Sequence, residues 1–303
     1  MGQMNRRTFV VSSLAAAATA CGRSAPRRAA TGIESAAEPA TATPIAAPRP
    51  TATPAPPPAH PRGLDERSLM PGTPWETRLL IQHSGVRGPA AMVLGGVHGN
   101  EPGGWLAADE VATWVPSSGT LIVLPHANVQ AIAGFVRTTD ELGDLNRLYP
   151  GDPASSLPME RMAAAILDTA REFDATLLLD MHESWAFYVD YPGTGTGALG
   201  QTITTGVGPL SPAFGQELAS RVNPAIGEHE QMLVRDGQQF RRPDATPAAG
   251  QSNRGRSSLS AGGHVAGLTP VLVEMGQQDQ PVARRVELHL LVARAALTLA
   301  GAL

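Results

Sequence analysis

Gly95-Gly96-Val97-His98-Gly99-Asn100-Glu101-Pro102-Gly103-Gly104 follows an apolar run over residues 90–94 and precedes Trp105-Leu106-Ala107-Ala108-Asp109-Glu110-Val111. An imidazole and a carboxylate three residues apart therefore stand at a strand-to-helix turn. If the backbone turns there, both side chains point into one space, and the flanking glycines allow the φ values and close approach that such a turn needs. This is the geometry of a metal-ligand pair. Taken alone, His-x-x-Glu is more often a surface accident, so its weight depends on what stands elsewhere in the chain.

Working outward, Ala175-Thr176-Leu177-Leu178-Leu179-Asp180-Met181-His182-Glu183-Ser184 reads as a buried strand with a polar end. Strand side chains repeat every two residues, which puts Asp180 and His182 on one face. His182 is the third candidate ligand. The competing reading is a core histidine satisfied by a backbone carbonyl, but its place at a strand end matches that of His98. Between the two histidines, Asp144-Leu145-Asn146-Arg147-Leu148-Tyr149-Pro150 reads as a loop. Arg147 beside Asn146 makes a fork suited to a substrate carboxylate; the plainer alternative is a loop-capping aspartate and an exposed arginine. Thr269-Pro270-Val271-Leu272-Val273-Glu274-Met275-Gly276 repeats the pattern of apolar strand, then carboxylate, then glycine. A glutamate there must reach the surface or be paired in a site, and Glu274 is read as a general base.

Further strands are expected at 78–82, 90–95, 119–125, 175–181 and 270–275, with helices at 104–114, 158–173 and 282–299. Short buried strands interleaved with amphipathic helices predict an α/β fold, a mixed central sheet flanked by helices, with functional groups at the carboxyl ends of strands. Residues 185–268 are rich in Gly, Pro, Ser and Thr and read as long loops with one helix at 213–222. Gly195-Thr196-Gly197-Ala198-Leu199-Gly200 matches the dinucleotide fingerprint, but the β-branched residues after it offer no helix N-terminus to a pyrophosphate. Ser184 has no nucleophile-elbow context. His83, His126, His229 and His264 read as structural or loop histidines.

Composition narrows the chemistry. All 23 basic residues are arginine, which excludes a lysine nucleophile, a Schiff base and a Walker loop. The lone Cys21 excludes intrachain disulfides and thiolate metal sites. From residue 73 onward, 15 arginines face 23 acidic residues, a formal balance of −8 without a basic cluster; no nucleic-acid partner is expected.

The front of the chain reads differently. Arg6-Arg7 followed by an apolar run through Ala20, with no acidic residue before Glu34, is an export signal of twin-arginine type, too short to span a bilayer. Ala18-Thr19-Ala20-Cys21-Gly22 resembles a lipoprotein cleavage box with Cys21 as the acylated residue; simple cleavage after Ala20 is the alternative. Ten of the 27 prolines fall between Pro39 and Pro71, and a stretch so poor in apolar periodicity cannot bury enough surface to order itself. The expected division is a signal at 1–21, a disordered Pro/Ala/Thr-rich tether at 22–72 and a single catalytic domain at 73–303, either anchored to a membrane only through the lipid or secreted.

In order, Gly-Gly-x-His-Gly-Asn-Glu, Asp-Leu-Asn-Arg, Leu-Asp-x-His and Val-Glu-x-Gly resemble the succinylglutamate desuccinylase/aspartoacylase family, within the zinc carboxypeptidase (carboxypeptidase A-like) superfamily. The resemblance covers roughly residues 75 to 300. It implies a zinc carboxypeptidase-like (phosphorylase/hydrolase-like) fold and one zinc per chain on His98, Glu101 and His182. Glu274 would be base and acid, Asp144 would hold His98 from behind, and Asn146 and Arg147 would grip the substrate carboxylate. The segment from Asn128 to Arg137 looks like the family's Asn-Pro-x-Ala segment with Val129 in place of proline, which implies that Arg137 polarises the scissile carbonyl. The expected activity is hydrolysis of an amide, or an ester, beside a carboxylate in a small acyl-amino acid. Two other readings stay open: a zinc carboxypeptidase acting on peptides or cell-wall peptides, and a binding lipoprotein without turnover.

Overall fold

The computed structural model describes residues 60–191, 197–236 and 256–303. Its central strand is β3 (Ala90–Leu94), the five-residue sequence Ala-Ala-Met-Val-Leu in which every side chain is buried. A strand with no polar face needs cover on both sides, as inner strands of parallel sheets have. Here β3 is parallel to β4 (Thr120–Leu124) on one side and to β5 (Ala175–Ser184) on the other.

The sheet has eight strands in the order β1-β2-β4-β3-β5-β8-β6-β7, with β1 at Arg62–Leu69, β2 at Thr77–Ser84, β6 at Thr202–Thr205, β7 at Leu233–Asp236 and β8 at Thr269–Gly276. The β1–β2, β2–β4 and β6–β8 pairs are antiparallel and the others parallel. One face packs on α1 (Pro102–Val111), α4 (Ala213–Val222) and α5 (Val282–Leu299) through residues such as Ala108, Leu218, Leu288 and Val292. The other packs on α2 (Val129–Gly134) and α3 (Pro158–Glu172) through Ala131, Met159, Met162 and Ile166. At ~1.5–3 kcal/mol for each large apolar side chain removed from water, these two cores dominate the folding free energy. Among the described residues no helix is long and apolar enough to cross a membrane.

The connection from β3 through α1 leads to β4 on one side, and the chain then returns to place β5 on the other. Such a reversal opens a crevice beyond the carboxyl ends of the strands. The stretch quoted first, Gly95 to Gly104, lies in that crevice.

Two sequence expectations need correction. The domain does not begin at residue 73: β1 lies within the stretch read as tether and pairs with β2 along its whole length, from Arg62 opposite Ser84 to Leu69 opposite Thr77. Six of its eight residues are exposed, so order comes from ladder hydrogen bonds and not from an apolar pattern. Residues 185–268 are also more than loops and one helix. They contribute β6 and β7, four residues each, of which Thr202-Ile203-Thr204-Thr205 is fully buried despite three polar side chains. The signal and lipoprotein box at 1–21, with Cys21, and the tether up to residue 59 lie outside the described residues.

Candidate active site

The turn after β3 is held by the turn after β4: Gly95 N donates to Leu124 O at 2.9 Å, Ala127 N to Gly95 O at 3.0 Å and Asn128 N to Gly96 O at 2.9 Å. Gly96 adopts φ +67°, a conformation that costs glycine little. His98 follows in the turn, and Glu101 occupies the residue before α1, whose first position is Pro102. Proline suits that position because its missing N–H would have no helical partner. Gly103 is required for a different reason: its N–H donates to Glu183 Oε1 at 2.8 Å, and any β-carbon there would run into that carboxylate.

The three candidate ligands meet. His98 Nδ1 lies 2.8 Å from Glu101 Oε1, His182 Nδ1 lies 2.9 Å from Glu101 Oε2, and the two Nδ1 atoms are 3.1 Å apart. All three side chains are buried. Behind the rings, His98 Nε2 is 3.0 Å from Asp144 Oδ1 and His182 Nε2 is 3.0 Å from Asp180 Oδ2. The first is a hydrogen bond. The second is a close electrostatic contact off the line of a straight one, so it secures the charge more than the angle.

This arrangement tests whether a metal fits. A neutral imidazole whose Nε2–H faces a carboxylate presents a bare lone pair at Nδ1. Both Nδ1 lone pairs and the Glu101 carboxylate then converge, with ligand atoms within 4.8 Å of one another. Three acceptors facing one buried point require positive charge there. Two nitrogens and one carboxylate oxygen are the donor set of a catalytic divalent-metal site of zinc type, with coordination left over for substrate. The residues fit.

Electrostatics follow from the same contacts. Burial alone would raise Glu101, but His98 and His182 outweigh it and hold the carboxylate well below its ordinary range. Asp144 behaves likewise, burial opposed by His98, Arg137 and Arg147. Burial would lower His182, yet the charges of Asp180 and Glu101 raise it well above the usual imidazole value. Glu274 is different. Burial pushes it up to about 7, with the Glu101 charge adding to the rise and His182 opposing it.

Glu274 lies directly opposite His182 in the β5–β8 register and reaches the same cleft, a cavity of ≈ 630 Å³ also lined by His98, Glu101, Arg137, Asp144, Asn146 and Arg147. Every predicted site residue therefore converges on one place. Asp144 does double duty, accepting from Asn146 N at 3.0 Å to begin a short 3-10 turn, Leu145–Arg147, while holding His98. Asn146 Oδ1 accepts from Ser258 N at 3.0 Å, and Arg147 donates to the Asn146 carbonyl at 2.7 Å. Arg137 reaches Glu101 Oε1 at 3.2 Å and Asp144 Oδ2 at 3.3 Å. His83, His126 and His229 pair instead with Thr120, Asp109 and Asp190, and neither they nor His264 line the cleft. The segment after Gly200 is strand β6, so the glycine fingerprint has no helix behind it. A smaller hollow of ≈ 350 Å³ beside Phe187, His229 and Arg284 holds none of the motif residues.

Sequence reading missed a supporting layer. Glu183 N donates to Glu101 Oε2 at 3.0 Å, while the Glu183 carboxylate accepts from Gly103, from Gln277 Nε2 at 3.0 Å and from Arg285 on α5. Both partners of the Glu183–Arg285 pair are buried. The available signal was an arginine near the N-terminus of a largely apolar helix, where the helix dipole disfavours a cation unless a carboxylate meets it.

Against known proteins, residues 87–186 match the family model of the succinylglutamate desuccinylase/aspartoacylase catalytic domain. That span contains His98, Glu101, Arg137, Asp144, Asn146, Arg147 and His182 and stops short of Glu274. No curated protein sequence matches the chain. Among solved structures, the mDAP-bound form of Helicobacter pylori Csd4, a D,L-carboxypeptidase, is similar at 17% identity and TM-score 0.58, covering 71% of this chain and 52% of that one. A succinylglutamate desuccinylase/aspartoacylase from Rhodobacter sphaeroides is similar at 19% identity and TM-score 0.51, covering 81% and 66%. An aspartoacylase family protein from Mesorhizobium loti is similar at 17% and 0.53, covering 80% and 68%. The chain spans about half the length of the Csd4 structures it matches. Fold and site together define an α/β protein with a buried His-Glu-His cluster at its strand ends. The solved structures share this fold, and the family match covers the part of the chain that carries the cluster.

Proposed function

We propose that the chain is a zinc hydrolase that cleaves an amide, or an ester, beside a carboxylate, exported by the twin-arginine route and held at the cell surface by lipid on Cys21. The observation that carries the catalytic reading is the convergence of three lone-pair donors on one buried point, with Glu274 opposite in the same cleft. His98, Glu101 and His182 would hold the zinc, which when bound supplies Lewis-acid polarisation and makes water a stronger acid.

The chain's own groups would do the rest. Asp144 keeps Nδ1 of His98 free for the metal by occupying its Nε2, and the Asp180 charge beside His182 Nε2 favours the same tautomer there. Asn146 and Arg147 anchor the substrate carboxylate, which sets the scissile bond before Glu274. Glu274, held opposite His182 by strand register and with its proton affinity raised by burial, is placed to accept a proton from water and return it to the leaving amine. Arg137, partly exposed in the cleft and now paired with Glu101 and Asp144, can turn one N–H toward the developing oxyanion.

The substrate side is tested with N-acyl-amino acids and short peptides, each with a free or a capped carboxylate. Capping should lower kcat/KM by roughly 10²-fold or more, since it leaves a guanidinium without its anion. In Arg147→Ala the penalty should vanish, because an interaction already absent cannot be lost again. Equal turnover of free and capped substrates by the wild type would reduce the reading to an esterase or amidase without a carboxylate anchor. A carboxypeptidase acting on peptides is the second reading, favoured by a cleft larger than a short acyl-amino acid fills. A binding protein without turnover would have no use for Glu274.

Localisation has its own test. Replacing Arg6 and Arg7 with lysine should block export, because the route reads the pair and not charge alone, and Cys21→Ser should release the domain in soluble form. Unchanged fractionation in both variants would remove the export and lipid assignments.

A further inference from the structure

The smaller hollow of ≈ 350 Å³ shares a wall with the cleft, and the proposed hydrolysis uses nothing in it. In the segment after β5, Tyr188 lines the cleft while Phe187, Asp190 and Tyr191 line the hollow. In the turn between β8 and α5, Gln277 lines the cleft and Gln278, Asp279 and Gln280 the hollow. Three carboxylates border this space, those of Asp190, Glu230 and Asp279, against one guanidinium, that of Arg284. Arg284 is already engaged: it donates to Glu230 through Nε at 3.0 Å and Nη2 at 2.7 Å, and to Glu287 at 2.9 Å. The balance left over is negative, and the rings of Phe187 and Tyr191 add faces that attract cations.

Acidic surfaces are common, and these charges alone would name no ligand. Gln280 supplies the second observation. It is 8% exposed, its backbone N–H donates to Gln277 O at 3.3 Å, and its carbonyl accepts from Arg285 Nε at 3.1 Å. In its side chain, Nε2 donates to Glu230 Oε1 at 3.3 Å. An ionised carboxylate only accepts, so the amide must keep its nitrogen there and turn its oxygen away. That oxygen, Oε1, has no hydrogen-bond partner within the described protein. Buried polar atoms are nearly always bonded, so an orphan acceptor on a residue that lines a hollow marks a place for a ligand donor. A donor among carboxylates is favoured when it also carries positive charge. Among the described residues only His98, Glu101 and His182 bring three ligand atoms together, so the occupant that fits here is an organic cation and not a metal ion.

We propose that this hollow is a binding site for a small organic amine, a primary ammonium on a short alkyl stem, separate from the His98-Glu101-His182 cluster. One N–H donates to Gln280 Oε1, the acidic side chains supply the counter-charge, and the stem packs against Phe187 and Tyr191. The site stands whether or not the cleft is a hydrolase, since none of its residues belongs to that machinery.

The test is calorimetric titration of the purified full chain with pentylamine, pentan-1-ol and the tetramethylammonium ion. Pentylamine should bind roughly 10-fold or more tighter than pentan-1-ol, which has the stem without the charge. It should also bind tighter than tetramethylammonium, which has the charge without an N–H. Gln280→Met keeps the length and removes the acceptor, so it should weaken pentylamine by roughly 10-fold. Asp190 is exposed, so Asp190→Asn keeps the fold even where Gln280→Met does not, and should weaken the amine by roughly 3-fold. Glu274→Gln, in the cleft, should leave amine binding unchanged. Absence of amine binding, equal binding of amine and alcohol, or tetramethylammonium bound as tightly as pentylamine would overturn the site. So would binding that folded Gln280→Met or Asp190→Asn leaves intact, or that Glu274→Gln abolishes.

Discussion

Wild-type protein should carry about one zinc per chain, and His98→Ala and His182→Ala should each lose it. The expectation follows from how few ligands there are. Three protein donors converge on the site, and removing one leaves two, too few for a tightly held zinc. Neither substitution should unfold the domain, since the rings sit at strand ends and not among the two apolar clusters. Metal analysis of dialysed protein, with circular dichroism as the folding control, decides the matter. Asp180→Asn provides the graded case: it touches only the far nitrogen of His182, so affinity should fall by ~10–100-fold without vanishing. Full occupancy in both alanine variants would show that the metal is held elsewhere.

Glu274→Gln should keep the metal and lose turnover by at least ~10²-fold, the usual contribution of a positioned acid–base group. Glu274 stands opposite His182 in the register but outside the ligand cluster, and glutamine preserves size and polarity. What it cannot do is accept a proton. The contrast with His98→Ala matters, because one variant separates chemistry from metal and the other removes both. Activity that persists in Glu274→Gln would assign the base elsewhere.

Much of this architecture was legible because local signals agreed. Residues 282–299 form the helix their periodicity predicts, with the same bounds, and the strand expected at 90–95 is β3 within one residue; a long periodic helix leaves few alternatives, and the short apolar run is decided by its length and by Pro89 and Gly95-Gly96 on either side. His98 and Glu101 could be paired by spacing alone. His182, Asn146, Arg147 and Glu274 needed ordered motifs, because the folds that unite them span more than a hundred residues. What escaped was held by partners distant in sequence. β1 has no apolar face and is ordered by β2. β7 is a four-residue edge strand whose pattern is too short to register. Glu183 and Arg285 each resemble a surface charge until the other is seen.

That last pair also orders events in time. The backbone amide of Glu183 steadies the Glu101 carboxylate, and the Glu183 side chain is tied through Arg285 to α5, the last of the described elements to leave the ribosome. Until residues 282–299 have been made, the Glu183 carboxylate has no arginine to meet it, and a buried charge left unpaired is costly. The strands can align without α5, but the ground beneath Glu101 closes at low cost only once Arg285 has docked.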